Sequence, residues 1–181
     1  PPAAVQMVLD AGVPREDFAS VRWIPTGAAP LHPDVQRAFE ARYGIPILSS
    51  YGATEFAGAA CMMTPEHHAE FGDAKFGSIG RPMPGVAMRV VDPESGAELP
   101  SGEEGIIEAK VDRIGPDWIR TADLAVIDEN GFLFHRGRAD GAIMRGGFKV
   151  LPEPIVTALL RHEAIAAAGV VGIPDRRLGE V

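Results

Sequence analysis

The chain has a single cysteine, Cys61, among its 181 residues. An intramolecular disulfide is therefore excluded, and a reducing, cytoplasmic compartment is the expectation. No apolar run approaches the roughly 18 residues needed to cross a bilayer. No basic start followed by an apolar stretch marks a signal peptide. A basic face is also lacking: the net charge is -8, which argues against a dedicated nucleic-acid binder. Lysine is scarce, with only Lys75, Lys110 and Lys149, and none of them sits in a Walker-type phosphate loop. There is no internal repeat and no low-complexity segment.

What is present is globular. Apolar residues make up 46% and charged residues 23%, unlike a disordered chain. The length suits one domain, or one domain plus part of another. The chain opens on Pro1-Pro2 and closes on Leu178-Gly179-Glu180-Val181, so an interior piece of a longer protein is expected.

The patterning predicts an α/β segment, then a small antiparallel β unit, then a short α+β stretch. In the first segment a helix is expected at Ala3–Ala11 and a buried strand at Val21–Ile24. A loop of small residues, 25–30, follows. Helical spacing over Pro33–Arg42 places Val35, Ala38, Phe39 and Arg42 on related faces, with Gly44 as C-cap. Ile45–Leu48 reads as a second strand, with Tyr51–Glu55 just beyond its carboxyl end, where α/β sheets bind ligands. From Phe76, β-type runs at Met88–Val91, Gly105–Val111, Trp118–Ile127 and Phe132–His135 alternate with Gly/Pro turns. After Asp140 come a hairpin (Ala142–Met144, Phe148–Leu151), a helix from Pro152 to Arg161, and a strand at Ala166–Ile173.

The strongest local signal is Asn130-Gly131 between apolar runs, which favours a two-residue type I′ hairpin. Glu129 then faces Phe132. Counted outward without a bulge, Asp123 faces Arg138. That pair is either a cross-strand ion pair or a carboxylate and guanidinium aimed together at a ribose.

Three segments supply parts for holding a nucleoside phosphate: Ser49-Ser50-Tyr51-Gly52-Ala53-Thr54-Glu55, Thr121–Ala125 and Gly137–Asp140. A ring can stack on a base, a hydroxyl can reach a phosphate, one carboxylate can hold Mg²⁺ and another a ribose diol. Each also has a plainer reading: Tyr51 as a packed strand-end ring, Thr54-Glu55 as a helix start, Asp140-Gly141 as a linker turn.

These motifs resemble the AMP-forming acyl-CoA synthetases and ligases of the adenylate-forming superfamily. The resemblance covers nearly the whole chain. It rests on Gly27-Ala28-Ala29-Pro30-Leu31, Tyr51-Gly52-Ala53-Thr54-Glu55, Gly77-Ser78-Ile79-Gly80-Arg81-Pro82, Arg120-Thr121-Ala122-Asp123-Leu124, Gly137-Arg138-Ala139-Asp140, Gly146-Gly147-Phe148-Lys149, and Val170–Asp175, in order. It implies acyl-adenylate formation from ATP and a small-molecule carboxylic acid, then transfer to coenzyme A. It makes residues 1–139 the end of a large AMP-binding domain (α/β over 1–75, β unit over 76–139) and 140–181 the start of a small C-terminal domain.

By the same resemblance, Tyr51 stacks on adenine, Ser49, Ser50 and Gly52 contact the nucleotide, and Gly27, Ala28 and Ala29 let it approach the backbone. Thr54 meets the α-phosphate and Glu55 holds Mg²⁺. Asp123 accepts the ribose hydroxyls and Arg138 assists. Asp140 is the hinge, and Gly146 and Gly147 form the thiolation loop. The family's upstream phosphate loop and late catalytic lysine are not in this sequence, so the 181 residues alone are not expected to adenylate. A carrier-protein acceptor and a non-catalytic adenylate-binding module are the competing readings. Homo-oligomerisation is left open. His67-His68 lack a matching metal set, Cys61 lacks an activating base, and 58–63 is either acyl-pocket lining or core.

Overall fold

The computed structural model describes every residue except Pro30 and the side chain of Glu153; the last position of the 25–30 loop thus lies outside the described residues. Helix α1 (Pro2–Ala11) leads through a 3₁₀ turn (Arg15–Phe18) to β1 (Ile24–Thr26) and α2 (Pro33–Tyr43). Pro33 opens α2, where its missing N–H costs nothing, and Gly44 closes it in the left-handed region at φ 64°. The helix buries Val35, Phe39 and Tyr43 against Val5, Ile45 and Ile47. Ala38 and Arg42, expected on that face, are exposed. Gln36 is buried instead, because its amide donates to Glu40 at 3.0 Å.

Strand β2 (Ile47–Ala53) runs parallel to β1 and antiparallel to β3 (Gly58–Met62), which pairs with β4 (Arg81–Pro82). Two expectations change here. The first strand begins at Ile24, and Trp23 is exposed; its partner register starts at Ile47, and Pro46 has no N–H to extend the ladder. The second strand continues through Tyr51 to Ala53 because β3 gives it a partner. Of the 58–63 run, Ala60, Cys61 and Met63 are buried in the core, Ala59 and Met62 are half-buried and Gly58 is exposed. Helix α3 (Pro65–Phe71), capped by Thr64, was not expected.

A second sheet has the order β5 (Val86–Val91), β6 (Glu104–Val111), β7 (Ile119–Ile127), β8 (Leu133–Arg138), all antiparallel. It packs on the first sheet through Phe56 and Ala60 against Ala109 and Val111, and through Cys61 against Ile107, Ala125 and Leu133. The segment 75–80 locks the two together. Lys75 pairs with Asp128 at 2.7 Å, and the Gly80 carbonyl accepts from the Leu133 N–H at 2.9 Å.

The β7–β8 hairpin brings Asp123 opposite Arg138, as expected, but by a different route. Its loop has three residues, 129–131, closed by the Asp128–Phe132 pair, with Gly131 at φ 78°. The Asp128 side chain caps this loop by accepting from the Asn130 and Phe132 N–H groups. The extra residue slips the register by one. A bulge at Arg136 slips it back: Ala125 pairs with His135, whereas Leu124 pairs with Gly137 and Asp123 with Arg138.

Beyond Asp140, β9 (Ile143–Arg145) and β10 (Phe148–Val150) form the expected hairpin, followed by α4 (Pro152–Leu160). The run 166–173 is not a strand. Pairing begins only at its last residue, where Ile173 exchanges two 2.9 Å hydrogen bonds with Val181. The strands are instead β11 (Pro174–Asp175) and β12 (Gly179–Glu180), in the order β10-β9-β12-β11.

Gly80 sits at φ 98°, and a Cβ there would overlap the Met62 carbonyl. Gly80→Ala is expected to cost about 1–3 kcal/mol, read as a lower urea midpoint at unchanged m-value.

Candidate nucleotide site

A cavity of about 550 Å³ opens where the first sheet meets the second, a size suited to a small-molecule ligand. The loop after β1, the end of β2 and the paired ends of β7 and β8 all contribute. Of the residues singled out from sequence, Gly27, Ala28, Ala29, Ser49, Ser50, Tyr51, Gly52, Asp123 and Arg138 line it. The backbone explains the small ones. A Cβ on Gly27 would lie 2.7 Å from the Ser50 hydroxyl, and one on Gly52 would collide with the Gly58 carbonyl. Ala28 adopts φ 67°, a strained value for a residue with a side chain.

Asp123 is the electrostatic centre. It is buried, and its two oxygens are engaged separately. The Tyr51 hydroxyl donates to Oδ2 at 2.6 Å, and Arg138 Nη1 donates to Oδ1 at 2.6 Å. Its own N–H donates to Thr121 Oγ1, whose hydroxyl in turn donates to the Ile107 carbonyl. Burial opposes ionisation, but the neighbouring His135 and Tyr51 side chains and the Arg138 charge outweigh it, so the carboxyl titrates below its usual range. The same proximity, after burial itself, pushes the Tyr51 phenol well up, so it remains a donor. Arg138 also donates from Nε and Nη2 to Asp140, each at 2.8 Å, and Lys149 reaches Asp140 at 2.8 Å. The Arg138 bond, first, and the Lys149 bond hold the Asp140 carboxyl well below the usual range despite slight desolvation.

Other expected residues lie apart. Thr54 and Glu55 are exposed on the 3₁₀ turn Thr54–Phe56 that follows Ala53, the last lining residue of β2. Glu55 has no hydrogen bond or ion pair among the described residues, so its carboxylate offers free hard oxygens. That fits a Mg²⁺ ion taking most of its ligands from phosphate and water. Gly146 and Gly147 form the β9–β10 turn, at φ 60° and 90°. A Cβ on Gly147 would stand 3.8 Å from the Ala28 carbonyl oxygen, and nearby Met144 lines the cavity.

Several lining residues escaped sequence reasoning. Thr26 is 5% exposed and its Oγ1 finds no partner among the described residues, so the cavity holds a buried polar group suited to a polar ligand. His135 stands 3.7 Å from Asp123. With a two-residue loop it would pair with Val126 and face the other side of the sheet; the three-residue loop pairs it with Ala125 and turns it inward. Cys61 is fully buried, with its thiol pushed up to about 12 by burial. His67 rests edge-on against Phe132.

The sign of the acid response follows from these carboxyls. An unfolded aspartate titrates near 3.9, and Asp123 and Asp140 titrate lower when folded. Their stabilisation is complete above about pH 4 and is lost as pH falls through the folded values. The melting temperature should therefore drop on acidification from about pH 5 to 2, and less steeply in Asp140→Asn. An equal acid slope in the variant would contradict the assignment.

Comparison with known proteins gives this geometry a family. The model described as "AMP-binding enzyme" matches residues 1–114. Sulfoacetate–CoA ligase of Cupriavidus necator is 35% identical over 178 residues, covering 90% of this chain and 34% of that protein. The fatty acid–[acyl-carrier-protein] ligase ScoC of Streptomyces coeruleorubidus is 32% identical over 195 residues, covering 99% of this chain and 37% of that protein. Among solved structures, the amide bond synthetase McbA from Marinactinospora thermotolerans superposes with a TM-score of 0.81 at 28% identity, covering 99% of this chain and 39% of that one. The chain thus spans about a third of the length of the curated relatives it matches. With a small-residue loop, an aromatic strand end and a buried Asp–Arg pair around one cavity, and with the family model covering most of its length, the chain belongs to the AMP-binding enzyme family.

Proposed function

We propose that the protein carrying this chain is an AMP-forming carboxylate–CoA ligase, and that these residues form the nucleotide-reading part of its site. In the first half-reaction a carboxylate oxygen attacks the α-phosphorus of ATP. The bond to the bridging oxygen breaks and pyrophosphate leaves, giving an acyl-adenylate. In the second, the CoA thiolate attacks the acyl carbon and AMP departs. The observation that carries this reading is the convergence of Tyr51, Asp123 and Arg138 on the cavity lined by Gly27–Ala29.

Asp123 would accept from the ribose hydroxyls. Each of its oxygens has a second lone pair beyond those used by Tyr51 and Arg138. Arg138 would assist at the ribose or phosphate. The Tyr51 ring, its hydroxyl anchored, would stack on adenine, with Ser49, Ser50 and Gly52 beside it. The loop Gly27, Ala28 and Ala29 would let nucleotide and acyl carboxylate approach the backbone, and Thr54 would donate to the α-phosphate. Glu55 would hold Mg²⁺, which supplies charge neutralisation at the phosphates.

Residues 1–139 would end a large domain, with the α/β part at 1–75 and the β unit at 76–139. Residues 140–181 would begin a small one. Asp140 would be the hinge; Gly141, at φ 64°, follows it. Gly146 and Gly147 would form the loop that guides the thiol, a reading supported by the approach of Gly147 to Ala28. The acid is a small-molecule carboxylate. Because one relative is named for an acyl-carrier-protein acceptor, carrier phosphopantetheine is the second reading; exchanging CoA for acyl carrier protein in the thiolation assay separates them.

The deciding measurement is acid-dependent ATP–pyrophosphate exchange by the full-length protein, over acids from acetate to long-chain and aromatic. Exchange with one class is expected. No exchange by folded protein that binds ATP would overturn the reading. Asp123→Ala should raise the ATP KM about ten-fold or more, since hydrogen bonds to a charged acceptor contribute roughly 1.5–3 kcal/mol. Glu55→Gln should raise the Mg²⁺ concentration needed for half-maximal exchange while leaving the ATP KM at saturating Mg²⁺ little changed.

A further inference from the structure

Resting on the nucleotide reading above, we propose that His135 is a third reader of the ribose: it donates its Nε2–H to the same sugar hydroxyl whose proton Asp123 accepts. Three observations carry this. First, the tautomer is set locally. Nδ1 accepts the Gly137 N–H at 3.2 Å, so a neutral imidazole carries its proton on Nε2, the nitrogen turned toward Asp123. Second, the gap is suited to one inserted oxygen. Nε2 stands 3.7 Å from Asp123 Oδ1, too far for a direct hydrogen bond and short enough for a single hydroxyl oxygen to touch both. That hydroxyl would donate to the carboxylate and accept from the imidazole. Third, the fold places His135 there by a specific device. Residues 135 and 138 are three apart, and in a regular strand they would face opposite sides of the sheet. The three-residue loop sets His135 opposite Ala125, and the bulge at Arg136 then returns Arg138 to the same face, directly opposite Asp123. Bulges that re-aim a side chain beside a site are a recurring device.

Oδ1 has room for this partner. Arg138 takes one of its lone pairs, at 2.6 Å, and leaves the other for the sugar. His135 lines the cavity, and its side chain is 19% exposed. Its ring centroid lies 6.2 Å from that of Tyr51, so the imidazole borders the place where a base stacked on Tyr51 would carry its sugar. The inferred ligand group is a ribose hydroxyl of a ribonucleoside phosphate, and His135 would act as a binding residue with no part in the phosphoryl chemistry.

The test is equilibrium binding of ATP, 2′-deoxy-ATP and 3′-deoxy-ATP to the full-length protein and to His135→Phe, His135→Gln and Asp123→Ala. Phe keeps the packing and removes the donor; Gln keeps an N–H. His135→Phe should weaken ATP about three- to ten-fold while leaving unchanged the affinity for whichever deoxy-nucleotide lacks the shared hydroxyl. His135→Gln should stay within about three-fold of the parent for ATP and still prefer ATP over that analogue. Equal weakening of all three nucleotides by His135→Phe would indicate packing alone and overturn the proposal. So would unchanged ATP binding, or loss of the preference in His135→Gln, the variant that decides the matter if His135→Phe does not fold. Asp123→Ala separates the two levels. If it leaves ATP binding intact, the nucleotide reading itself fails. If it weakens ATP while His135→Phe does not, only the role of His135 fails.

Discussion

The buried carboxylate of Asp123 is the constraint around which the site is organised. A lone carboxylate in that position would be expensive to keep ionised. It is held by a phenol from the first sheet and a guanidinium from the neighbouring strand, each at 2.6 Å. Because Arg138 goes on to grip Asp140, and Asp140 is gripped by Lys149, one run of alternating partners crosses from β2 through β7 and β8 to β10. The three sheets meet along this run. Removing any member takes a hydrogen-bond partner from its neighbours, so the geometry of the cavity wall and the contact between elements depend on the same bonds.

A second constraint is backbone proximity. Gly27, Gly52 and Gly80 stand where a Cβ would strike Ser50, Gly58 or Met62. Small residues at the first two bring β1, β2 and β3 close enough for their loops to form one wall, and Gly80 lets the 75–80 segment clip the hairpin to the first sheet. The cavity is therefore a product of tight packing around it, and its polar groups, Thr26 among them, are fixed in direction before any ligand arrives. Preorganisation of this kind limits the ordering cost of binding.

The β7–β8 hairpin shows how sequence and structure can agree on a contact and differ on its cause. A two-residue Asn130-Gly131 turn predicts Asp123 opposite Arg138. The observed loop has three residues and the strand carries a bulge, and the two offsets cancel. Between them the register differs by one, and there His135 changes face. Asp128 favours the longer turn, since its carboxylate caps two backbone N–H groups while pairing with Lys75.

Much of this protein was legible in its residues. Caps and turn formers marked α2, the β7–β8 hairpin and the β9–β10 turn, because these are local effects of proline, glycine and asparagine. Ordered motifs pointed to Tyr51, Asp123, Arg138 and the Gly27–Ala29 loop. Strand limits were less legible: β2 extends through Tyr51 only because β3 lies beside it, and 166–173 stays out of a sheet because no neighbour pairs with it before Ile173. Thr26 and His135 were invisible as site residues, since nothing in their immediate sequence distinguishes a cavity-facing side chain from one facing the core or solvent. Residue identity and local conformational preference, acting over a few residues, set which groups could do the chemistry and which short segments would turn. Tertiary structure alone decided which side chains share the cavity, because burial, bulges and strand partners depend on groups distant in the chain.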